Sequence, residues 1–474
     1  MSSPRGSRRS SCVITSALLA LALAGCASSG SSGGESGSGG ASPGSGGSTG
    51  GPGTGGSNAT GGSPATGDSP GTGGGTGGIT GTGGQAGHGG RGGTAGSGTG
   101  GSAGARGGSG GTGGSPTTGS GGSGSSVDAG VGTVTIPGQG CTPPAAYNNL
   151  FVSVSGHTQA DSDTKVKAAY AALFNPGGSG SIYFNGPGSD ESYVEDTYNN
   201  DVRTEGMSYG MMIAVQLDDQ TKFDRLWTFV KNHMANGKGQ IAWHVSTSGS
   251  KLATGGAPDG DEYFATALIF AHTRWGDSSG MYDYASEAQW VLDMMRTMEF
   301  DTKSHIVEFV AGSGNTDGSY VLPAFYQVWA CFDTANADFW NAAVTAARAF
   351  FHSAADSNGV IGDQSSFTGS TIRGAGSDAI RCVVNIMMDH NFFDADSWQT
   401  DTYAMKYGSY ETSHASGVAQ QSCNATLGFG LPVSSGKAFV DKIWSTNPPN
   451  RDYWNGVLYM LGMLHVSGTF HLYY

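Results

Sequence analysis

Residues 27–140 are Gly, Ser and Thr with occasional Pro and Ala. Such side chains cannot bury enough apolar surface to offset the ordering entropy of the backbone. A folded core must therefore come from 141–474, which is long enough for one large core or two modest domains. Gly supplies 84 of the 474 residues, most of them before 140, so whole-chain averages misdescribe the part that folds. A segment of this composition acts as a flexible tether with a mean reach of roughly 60 Å. No second linker follows, so 141–474 reads as one domain.

Helical patterns dominate that domain. They run over 165–173, 207–217, 223–234, 263–274, 284–298, 321–332, 339–351, 378–388, 418–427, 436–443 and 453–464, separated by turn residues such as Gly312-Ser313-Gly314 and Asn447-Pro448-Pro449. Some are apolar nearly all round, as in Met211-Met212-Ile213-Ala214-Val215, and such helices are buried on every side. Others, such as 339–351, carry a single apolar stripe. The alternation predicts an all-α fold of two concentric helical layers, compatible with a toroid of helical hairpins. Strand signals are few: 182–184, 241–243 and 305–307, expected as short hairpins at the mouth of a barrel.

Three acidic positions stand where helices begin: Glu205 after Thr204, Asp259 in Asp259-Gly260-Asp261-Glu262, and Asp378 after Ser377. Inner helices sharing one direction would bring these starts together. Convergent carboxylates among aromatic neighbours (Tyr209, Trp243, Trp275 and Trp454) suit hydrolysis of a glycosidic bond, which needs one protonated acid and one ionised base. The structural alternative is that each caps its helix or meets the helix dipole. Asp259, Asp261 and Glu262 could instead bind calcium, but the run lacks the spacing of an EF-hand loop.

Beyond 141, Asp and Glu outnumber Lys and Arg, which argues against a nucleic-acid partner. Four cysteines lie there, Cys141, Cys331, Cys382 and Cys423, without the paired spacing of a zinc site; three disulfide pairings are possible, and buried free thiols are an equal alternative to a bridge. No metal or cofactor is expected. Residues 1–26 read as a targeting segment: Arg5, Arg8 and Arg9, an apolar run, then Leu23-Ala24-Gly25-Cys26. This ending resembles a bacterial lipoprotein cleavage box. The resemblance implies export, cleavage before Cys26, lipidation of its thiol and anchoring of the protein to the membrane through that lipid; the alternative is an ordinary secretory signal.

The stretch Arg203-Thr204-Glu205-Gly206-Met207-Ser208-Tyr209-Gly210-Met211 resembles the pattern around the general acid of glycoside hydrolase family 8. Ala257-Pro258-Asp259-Gly260-Asp261, followed by Ala265, Ala267, Ala271 and Trp275, resembles that family's signature, with Pro258 where Ser or Thr is usual. Ser377-Asp378-Ala379-Ile380-Arg381 is similar to the segment holding the family's base, and segments starting at Tyr320 and Tyr453 also match, all in order between about 195 and 470. The resemblance implies an (α/α)6 barrel with an open cleft and an inverting mechanism. In it Glu205 is the proton donor, Asp378 the base and Asp259 the residue that holds the sugar at the cleavage point. Arg381, Trp243, Tyr209, Tyr320, Tyr453 and Trp454 are the implied substrate-binding residues.

These roles also make physical sense. Burial and the Asp259 charge would raise the Glu205 pKa, and Arg381, three residues after Asp378, could pair with Asp378 and keep it ionised. The segments resemble most the xylan-active branch of the family, which includes oligoxylanases releasing the reducing-end xylose. Those enzymes close the cleft with a His-containing loop, and His414 lies in a roughly matching place, although Ser413-His414-Ala415 departs from it. Endoglucanase, lichenase and chitosanase activities belong to the same family, and a carbohydrate-binding lipoprotein without catalysis is a further alternative.

Overall fold

The computed structural model describes residues 141–474 except Ala145, Lys238, Ser413, Ala415 and Ser416. The targeting segment 1–26, Cys26 and the Gly-rich segment 27–140 lie outside the described residues. The helices are α1 (Leu150–Ser153), α2 (Gln159–Leu173), α3 (Thr204–Gln216), α4 (Gln220–Phe229), α5 (Pro258–Trp275), α6 (Tyr284–Met298), α7 (Pro323–Phe332), α8 (Ala337–Ala354), α9 (Cys382–Phe393), α10 (Met405–Glu411), α11 (Val418–Asn424), α12 (Val433–Ser445) and α13 (Tyr453–Val466).

Contacts between helices close a ring: α3 meets α5, α5 meets α7, α7 meets α9, α9 meets α11, α11 meets α13, and α13 returns to α3. Around it, α2 packs on α13, α4 on α3, α6 on α5, α8 on α7 and α12 on α11, while the π turn Gln399–Ala404 that leads into α10 packs on α9. Among the described residues this is six inner and six outer helices, an (α/α)6 barrel. The sequence explains which helix goes where. In α3 every residue from Gly206 to Gln216 is buried, and α13 is buried from Gly456 to Val466, so both can only be inner. The outer helix α8 buries one stripe, Trp340, Ala343, Val344, Ala347, Phe350, Phe351 and Ala354, against the ring.

Buried polar groups tie the layers. Arg348 on α8 donates to both carboxylate oxygens of Asp389 on α9, at 2.8 and 2.7 Å, and to Gln327 Oε1 on α7 at 3.1 Å. Gln399 Nε2 adds a bond of 2.6 Å to Asp389. A disulfide joins Cys141 to Cys331 near the C-terminal end of α7; Cys382 and Cys423 are free and buried.

The inner helices start at one end of the barrel, and short strands cover the entry to α3. β1 (Tyr183–Asn185), β2 (Ser192–Asp196), β3 (Asp201–Arg203) and β4 (His244–Ser246) form an antiparallel sheet in that order, and β5 (Gln364–Ser365) pairs with β6 (Thr371–Arg373). The expected strand at 182–184 is β1, shifted by one residue. The one at 241–243 lies just before β4, and of 305–307 only Val307 pairs, in a single bridge to Phe300. The helix expected from 378 starts at Cys382, after a 3₁₀ turn Ala379–Arg381.

Candidate active site

Five starts of inner elements meet in one cleft, lined by Arg203, Thr204 and Glu205 at α3, Ala257 and Asp259 at α5, Tyr320 before α7, Asp378 and Arg381 before α9, and Tyr453 and Trp454 at α13, with Trp243 beside them. Close packing makes this convergence possible. A Cβ on Gly206 would stand 2.6 Å from the Tyr453 ring, and one on Gly260 would stand 2.6 Å from Thr204 Cβ. Glycine at both positions lets α13 and α5 press against α3 at the level of Glu205. The sheet delivers Glu205: β3 runs directly into α3, and Thr204 N donates to Trp243 O at 3.0 Å.

Arg381 is the centre of the site. Its Nη1 donates to Glu205 Oε1 at 2.7 Å, to the Tyr209 hydroxyl at 2.7 Å and to Asp259 Oδ2 at 2.9 Å. Its Nη2 stands 3.7 Å from Asp378 Oδ1. The guanidinium lies 5.6 Å from the Tyr320 ring centroid and 5.4 Å from that of Trp454. Tyr453 donates to Glu205 Oε2 at 3.1 Å. Asp259 Oδ1 accepts from Gly260 N at 2.9 Å. Arg373, on β6, approaches Asp378 Oδ2 at 3.7 Å and Asp363 at 3.2 Å.

The carboxylates are not helix caps. The starts of α3, α5 and the turn after Asp378 have no side-chain capping bond, whereas α4, α6 and α13 are capped by Asp219, Asp283 and Asp452. Burial pushes the Glu205 carboxyl up to about 8; Arg381 opposes this, Asp259 and Asp378 add to it, and the Tyr453 bond lowers it. Its side chain still keeps 17% exposure to the cleft, enough for contact with a bound molecule. Burial also raises Asp378, with Arg381 and Arg373 opposing and Asp363 and Asp259 adding. A neutral carboxyl and a second carboxyl on different nitrogens of one guanidinium, among aromatic faces, are equipped for acid and base work on a sugar.

The family model of glycosyl hydrolases family 8 matches residues 188–468, well over half of the chain. The chain belongs to glycosyl hydrolases family 8. It is a glycoside hydrolase. Rex8A of Paenibacillus barcinonensis, a reducing-end xylose-releasing exo-oligoxylanase, is 31% identical over 382 residues, 71% of this chain and 100% of that protein. Endoglucanase 2 of Ruminiclostridium josui is 25% identical over 356 residues, 69% of this chain and 77% of its own length. The solved structure of Rex8A with xylose matches with a TM-score of 0.66 and 29% identity, over 69% of this chain and 98% of that one.

In this family 8 chain most of the residues singled out from the sequence meet in the cleft, and two details differ. Tyr209 is buried beneath it, with its hydroxyl under Arg381, and lines a small cavity with Tyr263, Asn385 and Cys423 instead. Trp275 stands at the far end of α5, donating to Asp218 at 2.8 Å. Arg381 pairs with Asp378 at 3.7 Å, as expected, and makes its shorter bonds to Glu205, Asp259 and Tyr209. His414 stacks on Tyr410 at 4.0 Å and lines an adjoining cavity with Ala379 and Gln420. Ser413 and Ala415 beside it lie outside the described residues. The calcium alternative fails on geometry: Asp259 goes to Arg381, Glu262 accepts from Tyr326 at 2.7 Å, and Asp261 faces Glu299.

Arg203, Arg373, Asp363 and Asp317 were not singled out from the sequence. Asp363 accepts from Gly376 N and Ala379 N at 2.8 and 3.0 Å and so shapes the turn carrying Asp378. Asp317 is fully buried near Asp378, with Oδ1 bonded to Ser319 and its carboxyl pushed well up by burial. Arg203 directly precedes α3, whereas no spacing rule links Arg373, Asp363 and Asp317 to the helix starts, so only the fold brings those three in.

Proposed function

We propose that the enzyme hydrolyses β-1,4 linkages of xylan or xylo-oligosaccharides with inversion at the anomeric carbon. Glu205 is the general acid, Asp378 the general base, and Asp259 holds the sugar at the cleavage point. The observation that carries this reading is the arrangement around Arg381, with Glu205 and Asp378 on different nitrogens of one buried guanidinium at 2.7 and 3.7 Å. Glu205 gives its proton to the leaving oxygen. Asp378 takes a proton from a water that attacks the opposite face of the sugar, so that glycosidic bond cleavage and water addition balance. Trp243, Tyr320, Tyr453 and Trp454 offer flat faces or hydroxyls to the sugar rings.

Xylan as substrate is supported by the higher identity to the exo-oligoxylanase than to the endoglucanase over similar lengths of chain. The purified chain is expected to release sugar from xylan or xylo-oligosaccharides at least ~10-fold faster, by kcat/KM, than from carboxymethyl-cellulose, lichenan or chitosan. A faster rate on a glucan would replace this reading with an endoglucanase. Release of single xyloses from xylotetraose, with little attack on polymer, would mark exo action.

Export and a lipid anchor at Cys26 belong to the same proposal. The lipoprotein-like ending supports them, and the disulfide between Cys141 and Cys331 suits an oxidising compartment. A labelled fatty acid fed to expressing bacteria is expected in the chain and absent from a Cys26→Ser variant; equal labelling of both, or of neither, contradicts the anchor.

A further inference from the structure

Next to Asp259, but turned away from the cleft, two acids meet without a cation. Asp261 extends from the first turn of α5, and Glu299 directly follows α6; both are fully buried. Neither forms an ion pair with a Lys, Arg or His side chain among the described residues. Neither oxygen of Asp261 has an N–H or hydroxyl donor, and the side chain that faces it is the carboxyl of Glu299, whose Oε2 is likewise without a donor. Glu299 Oε1 in turn accepts from Gln240 Nε2 at 3.1 Å. The spot is filled: a Cβ on Gly256 would come 2.6 Å from Glu299 Oε1, 3.0 Å from Gln240 Nε2 and 3.4 Å from Asp261 Oδ2.

A hydrogen bond between two carboxyl groups needs a proton on one of them. Two ionised carboxylates in contact, buried and without a cation, would repel each other and lack hydration. We propose that Asp261 and Glu299 are joined by at least one shared proton across neutral pH and form a clasp that holds two cleft-lining segments against α5. One segment is 240–243, which runs from Gln240 to Trp243. The other is 256–257, where Gly256 rests on the pair and Ala257 lines the cleft. Trp243 N also donates to Gly255 O at 2.9 Å, so the two segments move together.

The charged groups facing the pair do not remove the need for the proton. Asp259 and Glu262 on α5 add negative charge, Gln240 brings only an amide, and Arg381 of the cleft is taken up by Glu205 and Asp259. Burial accordingly pushes Asp261 well above the carboxylate range and Glu299 up to about 7, the latter against the Gln240 bond. Unfolded carboxyls titrate near ~4. The folded chain therefore holds more protons than the unfolded one above that pH, and stability falls as pH rises from there towards about 7.

Urea unfolding of the full chain at several pH values from ~5 to ~7 tests this, and its readout does not depend on which glycan is the substrate. Glu299→Gln and Asp261→Asn keep the shape and remove one titrating group. In each the folding constant should fall less steeply than in the wild type, by up to ~10-fold per pH unit. A pH dependence identical to the wild type in both variants overturns the shared proton. Glu299→Ala removes the acceptor of Gln240 and should raise KM for xylo-oligosaccharides ~5-fold or more with kcat within about 3-fold, while Glu299→Gln restores KM. An unchanged KM in Glu299→Ala, or a loss confined to kcat, overturns the clasp.

Discussion

Replacing Glu205 with glutamine is expected to lower turnover on xylo-oligosaccharides by at least ~10²-fold while substrate binding survives. The amide keeps the size of the side chain and can still accept from Arg381 Nη1, now at 2.7 Å from Oε1, so the floor of the cleft stays in place. What is lost is the proton for the leaving oxygen. In the wild type that proton is held by burial, which lifts the carboxyl to about 8. The group is therefore protonated at neutral pH and ionises as pH rises past about 8, so kcat/KM of the wild type should fall on that side. The variant's residual activity should lose this alkaline limb. Turnover near wild type, or an unchanged limb in the variant, would remove Glu205 from the mechanism. Binding is read by isothermal titration with the inactive variant.

Asp378→Asn should lower turnover by ~10²-fold to ~10⁴-fold, because an amide cannot take the proton of the attacking water. Its melting temperature should stay close to wild type or rise slightly. Asp378 makes no capping bond, and its contacts to Arg381 and Arg373 are both 3.7 Å, so little attraction is lost. Against this, a buried carboxylate near Asp363 and Asp259 is removed, which relieves repulsion. A large drop in melting temperature would mean that Asp378 mainly serves the turn before α9. Full activity would assign the base elsewhere, with Asp363, which shares Arg373 with Asp378, the carboxylate to test next.

Much of this architecture is legible in the chain because inner and outer helices have different solvents. Met211 to Val215 touch only protein and so show no polar face, whereas α8 meets water on one side and shows a stripe. Helix starts carrying Glu205, Asp259 and Asp378 could be found for the same reason: an acid at the edge of an apolar run is visible. Other parts are hidden by physics of longer range. The element 399–411 mixes Thr400, Thr402, Lys406 and Gly408 into its turns and winds partly as a π turn, so its local signal is weak and packing on α9 decides it. The strands β2 and β3 are five and three residues long, too short for alternation to stand out. The bonds of Arg381 to Glu205, Tyr209 and Asp259 join residues more than 100 positions apart, which no local spacing can show. Arg373 and Asp363 reach Asp378 from a hairpin whose sequence carries no sign of the site.

The proposed pairing of Glu205 as acid with Asp378 as base, acting through water, dictates the stereochemistry of the product. An inverting pair stands ~6.5–9.5 Å apart to admit that water, a retaining pair ~5–5.5 Å. Proton NMR of a fresh digest of a xylo-oligosaccharide reads the outcome directly. The new reducing end should appear first as the α-anomer, with β growing in only through mutarotation. First appearance of the β-anomer would contradict the account, since it requires a covalent sugar intermediate that Asp378 as a base never forms.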